Sequence, residues 1–426
     1  MELWRIISEI VNTKTLRHFI VTSGGTAVNG FLGLLFYIVV ARELGPQVYG
    51  VLAIAVASIA LISDISDLGI DTGLIRFVGK YRQEDKEKTL KFIKLGLTVK
   101  LAVWLVVLLT GWAIMPMIAE TVFLKPELGL PLQFSLIGAL GAMLFSLGTH
   151  VIQAYQKFWS WSILNISMNG LRLSAVIILA GFGILGLLPT LITYIAIPFM
   201  GFFVTLFLLP QFLTVRNSKS VGSELFHYSK WVALVGILTA TGSRLDTFLS
   251  ARLLTVRDVG IYSAASQITV VIPQLVFALA TVVAPKLASF DSDIKAIEYL
   301  KKLQLLVFGM FILGLLAIPV LVLLIPQIYG TAYLESITPF VVLFVAQLVF
   351  LLSVPSHQAI FYYFSKPSFF TWVGLGQLAI TGLLGWFLIS TYGITGAAVT
   401  VLIANLFNFL VPSAWVVYRF TRVLKK

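Results

Sequence analysis

Long apolar runs alternate with short polar segments along the whole chain. Each run extends over roughly 20 residues, which is the length a helix needs to cross the hydrocarbon core of a membrane. We therefore predict twelve transmembrane helices, and Pro residues inside several of them favour bundled membrane helices, where neighbours satisfy the freed backbone carbonyls. The predicted spans cover residues 17–41, 48–72, 93–115, 131–154, 161–182, 188–213, 230–251, 260–284, 303–325, 337–362, 368–391 and 395–418.

Composition supports this interpretation. Hydrophobic residues make up 59% of the 426-residue chain and charged residues 11%, whereas a soluble domain carries about 25% charged residues. So few charges cannot cover a water-exposed surface, which excludes a soluble globular enzyme and a disordered chain. The chain has no Cys, which excludes a disulfide framework and a Cys-ligated metal site. The sequence predicts an all-α integral protein of the cytoplasmic membrane.

The positions of the cations predict its orientation. Of the 30 Lys and Arg residues, 23 lie in the two tails and the loops after even-numbered spans, 4 lie in the other loops and 3 lie within spans. Cytoplasmic loops carry the excess of Lys and Arg, so both termini are predicted to be cytoplasmic. The net charge of +12 is thus a topology signal, and we expect no nucleic-acid partner. The basic loop 76–94 is a candidate contact for anionic membrane lipids.

Two patterns divide the chain. Residues 1–16 have apolar positions at helical spacing and predict an amphipathic helix at the membrane interface. The pattern Ala-Arg-x-Leu-x5-Gly occurs at 41–50 and again at 251–260, and Gly-Ile-x-Gly occurs at 183–186 and 393–396, both with an offset of 210 residues. The repeat predicts two six-helix lobes of the same topology. The expected divisions are 17–213, a cytoplasmic linker at 214–229, a second lobe at 230–418 and a basic cytoplasmic tail at 419–426.

These motifs resemble those of polysaccharide flippases of the Wzx type, which belong to the superfamily that includes MATE multidrug exporters and MurJ-type lipid II flippases. The resemblance implies a V-shaped molecule that moves a polyprenyl-linked oligosaccharide by alternating access. Polysaccharide polymerases or glycosyltransferases would be its partners. The motifs are Ala41-Arg42-Glu43-Leu44-Gly45-Pro46-x-x-Tyr49-Gly50, Asp67-Leu68-Gly69, Arg244-Leu245-Asp246, Ala251-Arg252 and Val259-Gly260-Ile261-Tyr262.

Charged residues within spans are candidate functional sites, because lipid cannot solvate them. Arg172 lies midway along span 5, where its guanidinium is suited to bind phosphate in a bidentate manner. A structural bond to helix carbonyls is the alternative. Arg244 and Asp246 lie in the outer half of span 7 and have apolar equivalents in the repeat. Arg244 is a second candidate phosphate ligand, and we expect it to share a cavity between the lobes with Arg172. Asp246 is a candidate for binding a coupling Na⁺ or H⁺, and an interlobe salt bridge is the alternative for the pair.

Further charged residues have two interpretations each. Asp64, Asp67 and Asp71 follow helical spacing and are expected on one face of span 2. Asp64 and Asp67 are candidates for ion coupling or gating, and interfacial ion pairs near Arg76 and Lys80 are the alternative for Asp67 and Asp71. Lys100 either faces the cavity as a phosphate ligand or snorkels to the cytoplasm.

The remaining candidates lie at span ends. Arg42 and Arg252 lie at outer span ends, where they either receive phosphate or cap helix C-termini. His150 and His357 are interpreted as hydrogen-bonded interior residues.

The motifs of nucleotide-dependent and hydrolytic enzymes do not occur in their required context. The sequence therefore predicts a flippase without enzymatic activity, resident cofactor or metal, driven by Na⁺, H⁺, the membrane potential or substrate supply. Two other classes remain open. A cation-coupled drug exporter is favoured by an acid-dominated cavity, and a membrane enzyme acting on lipid-linked sugars is favoured by clustered outer carboxylates with a metal.

Overall fold

The computed structural model describes residues 14–216 and 219–424, and within these ranges the chain forms helices and no strand. Most of the predicted interfacial helix, residues 1–13, lies outside the described residues, as do residues 425–426 of the basic tail. The helices are α1 (Lys14–Ser66), α2 (Ile70–Tyr81), α3 (Lys86–Met117), α4 (Gly129–Ala154), α5 (Phe158–Gly181), α6 (Leu187–Leu208), α7 (Lys219–Gly242), α8 (Leu245–Leu253), α9 (Val256–Thr269), α10 (Val271–Ala288), α11 (Asp293–Tyr329), α12 (Ile337–Leu352), α13 (Val354–Gln358), α14 (Phe369–Ala379) and α15 (Gly385–Leu424).

The structure confirms that the long apolar runs form helices. The described residues contain 9 helical stretches that are long and apolar enough to cross a membrane, or 10 when α7 and α8 count as one bent span. Two stretches, of 46 and 54 residues, each contain one glycine with a non-helical backbone, Gly45 (φ 70°) and Gly393 (φ 59°). These glycines lie where the sequence predicts short loops, because a positive φ is accessible to Gly at little cost. The number of twelve crossings stays a prediction.

The chain forms two compact units. The first contains residues 1–43 and 55–240, and the second contains residues 44–54 and 241–426. The predicted linker at 214–229 is largely helical, because α7 begins at Lys219 and belongs to the first unit as far as residue 240. Glu224 holds α7 to the first unit, since it accepts a hydrogen bond from Tyr81 at 2.8 Å and pairs with Lys88 at 2.8 Å.

One pair of helices packs together in each unit at an offset of 210 residues, while the repeat itself stays a prediction. In the first unit α4 packs against α6, and in the second unit α12 packs against α15. Addition of 210 to the residue numbers of α4 and α6 gives ranges that overlap those of α12 and α15. The apolar helices α3 and α11 are related in the same way and are peripheral, with only 6% of the most apolar window of each buried. A helix that is apolar and exposed in this way fits contact with lipid.

Two repeated glycines meet directly in the second unit. A Cβ atom on Gly50 would lie 1.9 Å from the Val256 carbonyl oxygen, and a Cβ atom on Gly260 would lie 2.0 Å from the Pro46 carbonyl oxygen. The contact is reciprocal, because 46 and 256 differ by the same 210 residues as 50 and 260. Equivalent segments that cross at a two-fold axis make contacts of this kind, and only Gly permits so close an approach.

The predicted orientation can be tested because the chain has no Cys. Gln83→Cys, in the short segment between α2 and α3, is expected to react with a membrane-impermeant maleimide only after the membrane is permeabilised. Glu127→Cys, in the segment before α4, is expected to react in intact cells. Labelling in intact cells at position 83 and protection at 127 would reverse the topology.

Candidate functional site

A polar cavity of about 340 Å³ lies in the first unit. It is formed by side chains of α1, α4, α5 and α6, all of which belong to predicted membrane spans. A second cavity, of about 400 Å³, has a wholly apolar lining from α4 and α6 and offers nothing to a charged ligand. The polar side chains that line the first cavity are Ser63, Asp64, Ser146, Thr149, Asn165, Arg172 and Tyr194.

Arg172 is the cationic side chain in the lining of this cavity. Its guanidinium carbon lies 4.4 Å from the ring centroid of Tyr194 and 5.7 Å from that of Phe36. Its buried Nε atom has no hydrogen-bond partner, so the contacts that the structure shows for this guanidinium are aromatic. Aromatic rings stabilise a cation without occupying its N–H donors. The structure thus holds Arg172 against aromatic rings at the cavity, whereas the alternative of a bond to helix carbonyls is not seen in the described residues.

A buried charge cluster lies beside the cavity. The Lys100 side chain is 0% exposed. Its Nζ donates to Asp71 Oδ1 at 2.6 Å and to the Met143 carbonyl oxygen at 3.1 Å. The same Nζ lies 2.8 Å from Asp67 Oδ1. An ammonium group has three protons, so these three oxygens match its full donor capacity. Lys100 therefore joins the turn after α1, helix α2 and helix α4.

The predictions for these residues need correction. Lys100 neither snorkels nor faces the cavity, because its ammonium is enclosed by the two carboxylates. The helical-face argument for the three Asp residues was wrong, since the helix stops at Ser66 and restarts at Ile70. Leu68 and Gly69 have positive φ there. Asp64 alone of the three lines the cavity, while Asp67 and Asp71 bond to Lys100 and not to Arg76 or Lys80.

Ser146 connects the cluster with the cavity. Its hydroxyl donates to Asp71 Oδ2 at 2.5 Å and lies 3.1 Å from Nδ1 of His150, and the same side chain lines the cavity. The Nδ1 atom of His150 also lies 2.8 Å from the Ser146 carbonyl oxygen and 3.5 Å from Asp71 Oδ2. His150 is hydrogen-bonded, as its interpretation as an interior residue expects, but its side chain is 35% exposed.

Arg244, Asp246 and Arg252 lie in the second unit. Arg244 occupies the position before the first residue of α8, and its Nη1 donates to the Ser243 hydroxyl at 3.0 Å. Asp246 lies in the first turn of α8 and accepts a hydrogen bond from the Tyr262 hydroxyl at 2.5 Å. Arg252 lies in the last turn of the same helix, where a cation is favourable next to the helix C-terminus.

Arg42 is exposed in the first unit and precedes the helix break at Gly45. Whether the two arginines cap helix ends or receive phosphate stays a prediction.

Sequence reasoning missed several participants. Phe36, Tyr37 and Tyr194 support Arg172, and the Tyr37 hydroxyl donates to that of Tyr194 at 3.4 Å; aromatic residues are so common in these spans that they carried no signal. Ser146 and His150 did carry a signal in the sequence, because a hydroxyl and an imidazole four residues apart share a helix face.

Solved membrane transporters share the fold of this chain. A structure titled as the inward-facing conformation of a multidrug resistance MATE family transporter of the MOP superfamily is 15% identical, covers 93% of this chain and 96% of its own, and has a TM-score of 0.72. The lipid II flippase MurJ in an inward closed conformation is 14% identical, with coverages of 95% and 90% and a TM-score of 0.73. A MOP superfamily transporter from Pyrococcus furiosus is 13% identical, with coverages of 96% and 96% and a TM-score of 0.60.

These likenesses define the class as a multi-pass membrane protein with a MATE- and MurJ-like fold. The sequence profile of the family described as "Polysaccharide biosynthesis protein" matches residues 15–290, which is well over half of the chain. The chain therefore belongs to that family, and its long apolar helices place it in the cell membrane. No curated protein sequence matches it significantly.

Proposed function

We propose that this protein is a flippase that moves a polyprenyl-(pyro)phosphate-linked oligosaccharide from the inner to the outer leaflet by alternating access. The cargo would serve the assembly of cell-surface polysaccharide, without enzymatic conversion by this chain. The family match supports a role in polysaccharide biosynthesis, and the fold is that of transporters. A sugar-phosphate headgroup cannot cross hydrocarbon unaided because desolvating its charge is too costly.

The proposal rests on the surroundings of the Arg172 guanidinium in the polar cavity. A cation within the span helices is retained only where something compensates its cost. Here the contacts that the structure shows for the guanidinium are aromatic, and the side chain lines a polar cavity. A guanidinium with available donors fits two phosphate oxygens at once. The cavity also offers the Asn165 amide and Ser and Thr hydroxyls, which suit the sugar nearest the phosphate.

The other proposed residues have defined places in this scheme. Arg244, Arg42 and Arg252 are proposed as phosphate contacts at other stages of transport, and Asp64 and Asp246 as sites for a coupling Na⁺ or H⁺. Lys100 and Asp67 are not proposed as ligands, because they bond to each other in the buried cluster. Polysaccharide polymerases or glycosyltransferases are proposed partners, as suppliers and consumers of the cargo.

Arg172→Ala tests the proposal in proteoliposomes that contain a defined polyprenyl-pyrophosphate-linked oligosaccharide. Hydrogen bonds to a charged group contribute about 1.5–3 kcal/mol, so headgroup affinity is expected to fall roughly 10- to 100-fold and flipping with it. Arg172→Lys keeps the charge but loses the bidentate geometry, and is expected to be intermediate.

Arg257→Ala is the matched control. Arg257 forms an exposed pair with Glu335, with N–O distances of 2.8 and 2.9 Å, and such surface pairs contribute little. Full flipping by Arg172→Ala, with expression equal to the control, would remove the phosphate site from the proposal.

The drug-exporter alternative retains one supporting observation, which is that Asp64 lines the same cavity as Arg172. An organic cation would be attracted by Asp64 and repelled by Arg172. An anionic headgroup would be attracted by Arg172 and repelled by Asp64. Competition by a lipophilic cation that disappears in Asp64→Asn and strengthens in Arg172→Ala would favour the exporter.

A further inference from the structure

The structure links an accessible imidazole to the proposed headgroup cavity through one hydroxyl. Ser146 Oγ donates its single proton to Asp71 Oδ2 at 2.5 Å and lies 3.1 Å from His150 Nδ1. The Ser146 side chain also lines the cavity that contains Arg172 and Asp64. Any change in the bond between His150 and Asp71 therefore acts on a side chain of the cavity wall.

The charges of the cluster do not balance when His150 is neutral. Two carboxylates, Asp67 and Asp71, face one ammonium, Lys100, which leaves one negative charge in excess. Around this cluster, the turn after α1 supplies Asp67, α2 supplies Asp71, α3 supplies Lys100 and α4 supplies Ser146 and His150. Helix α7 contributes the Ser229 hydroxyl, which donates to the Gly69 carbonyl. An uncompensated charge in such surroundings is costly, so a proton on His150 would restore neutrality.

The neighbours of the ring indicate which nitrogen takes up that proton. Nδ1 faces the Ser146 carbonyl oxygen at 2.8 Å and Asp71 Oδ2 at 3.5 Å. Both atoms are acceptors, so Nδ1 is the N–H of the neutral ring. The second proton therefore binds at Nε2, on a side chain that is 35% exposed as a whole.

We propose that His150 couples proton binding to headgroup binding through Ser146, an inference that rests on the proposed phosphate site. The imidazolium ion binds Asp71 more strongly and takes the place of the Ser146 hydroxyl on Oδ2. The released hydroxyl then donates to a headgroup oxygen next to Arg172. By linkage, headgroup binding promotes proton uptake by the same factor by which the proton promotes headgroup binding.

Calorimetric titration of the purified full-length protein in detergent tests this coupling, with inorganic pyrophosphate and farnesyl pyrophosphate as probes. Affinity is expected to be higher at pH 5.5 than at pH 8, by a factor within the roughly 5- to 150-fold range typical of coupled sites. Titrations in buffers of different ionisation enthalpy should show proton uptake of up to one per bound anion.

Two variants and one control assign the effect. His150→Asn is expected to bind pyrophosphate with the affinity of the parent at pH 8 and to lose the pH dependence that the parent shows beyond the probe's own ionisation. Ser146→Ala removes the transmitting hydroxyl and is expected to lose the same pH dependence. His227→Gln is the control, because His227 is exposed on α7. Proton uptake in His150→Asn equal to that of the parent, or a pH dependence of affinity that is the same in the parent and in His150→Asn, would overturn the coupling even though the phosphate site stands.

A measurement without ligand separates this inference from the proposed function. Ala142 lines the same cavity, and Ala142→Cys would supply the only thiol. Its reaction rate with an anionic methanethiosulfonate, relative to a cationic one, is expected to rise as the pH falls, and to stay constant when His150→Asn is added. If this rise occurs but pyrophosphate does not bind at any pH, the proposed phosphate site fails while the link from His150 to the cavity stands. A constant ratio in the parent overturns the link.

Discussion

Lys100→Met is expected to abolish most of the folded protein. The substitution leaves Asp67 and Asp71 in a buried site without the ammonium that lies within 2.8 Å of both. Removal of one partner from a buried ion pair costs about 3–5 kcal/mol, while the whole stability of a protein is about 5–15 kcal/mol. The monodisperse fraction recovered in mild detergent, and the melting temperature of that fraction, measure the loss.

Two controls show whether charge is the cause. The triple variant Lys100→Met/Asp67→Asn/Asp71→Asn is neutral and is expected to recover most of the folded fraction. Lys91→Met removes a lysine whose partner Glu87 is 71% exposed, and such pairs contribute about 0–1 kcal/mol. If Lys100→Met folds as well as Lys91→Met, the cluster does not stabilise the fold.

Gly50→Ala and Gly260→Ala are expected to destabilise the second unit strongly. Each added methyl group would lie within 2.0 Å of a carbonyl oxygen of the opposing segment, so the two backbones must separate. Overpacking costs about 1–3 kcal/mol when side chains can move, and a clash with backbone gives less room for relief. We therefore expect a lower melting temperature for each variant.

Gly309→Ala is the matched control, because a Cβ atom there would meet nothing within 4 Å. Ala is favoured over Gly in a helix interior by about 1 kcal/mol, so this variant should be at least as stable as the parent. The double variant Gly50→Ala/Gly260→Ala is expected to lose less than the sum of the single variants, since one separation relieves both clashes. Strictly additive losses would mean that the two glycines do not share one crossing.

The positions of the loop glycines could be predicted because they depend on local chemistry. A turn that needs positive φ selects Gly, and Gly183 and Gly393 both have positive φ at the 210-residue offset of the motif. The apolar runs were equally informative, because the length of a membrane helix is fixed by the bilayer. The break at Leu68-Gly69 could not be predicted, since apolar residues continue on both sides of it and periodicity alone does not mark a single turn.

The partners of the charged residues could not be predicted, because they are set by tertiary packing. Lys100 meets Asp67 and Asp71 from another helix about 30 residues away, and its spacing along the sequence favours no partner. Arg172 was found because an isolated cation within an apolar span is conspicuous, but its aromatic neighbours lie on α1 and α6. Which cations reach a cavity and which are neutralised inside the fold is therefore a property of the packed bundle.

The crossing at Gly50 and Gly260 has a consequence for biosynthesis. Residues 44–54 pack in the second unit, so their contact surface is synthesised about 210 residues after they are. At the usual rate of about 5–20 residues per second, this delay is roughly 10–40 s. During that interval the first spans are already in the bilayer while the chain around Gly50 waits for residue 260. The N-terminal half therefore cannot mature on its own during translation, and chaperones or the insertion machinery have a defined time window in which to shield it.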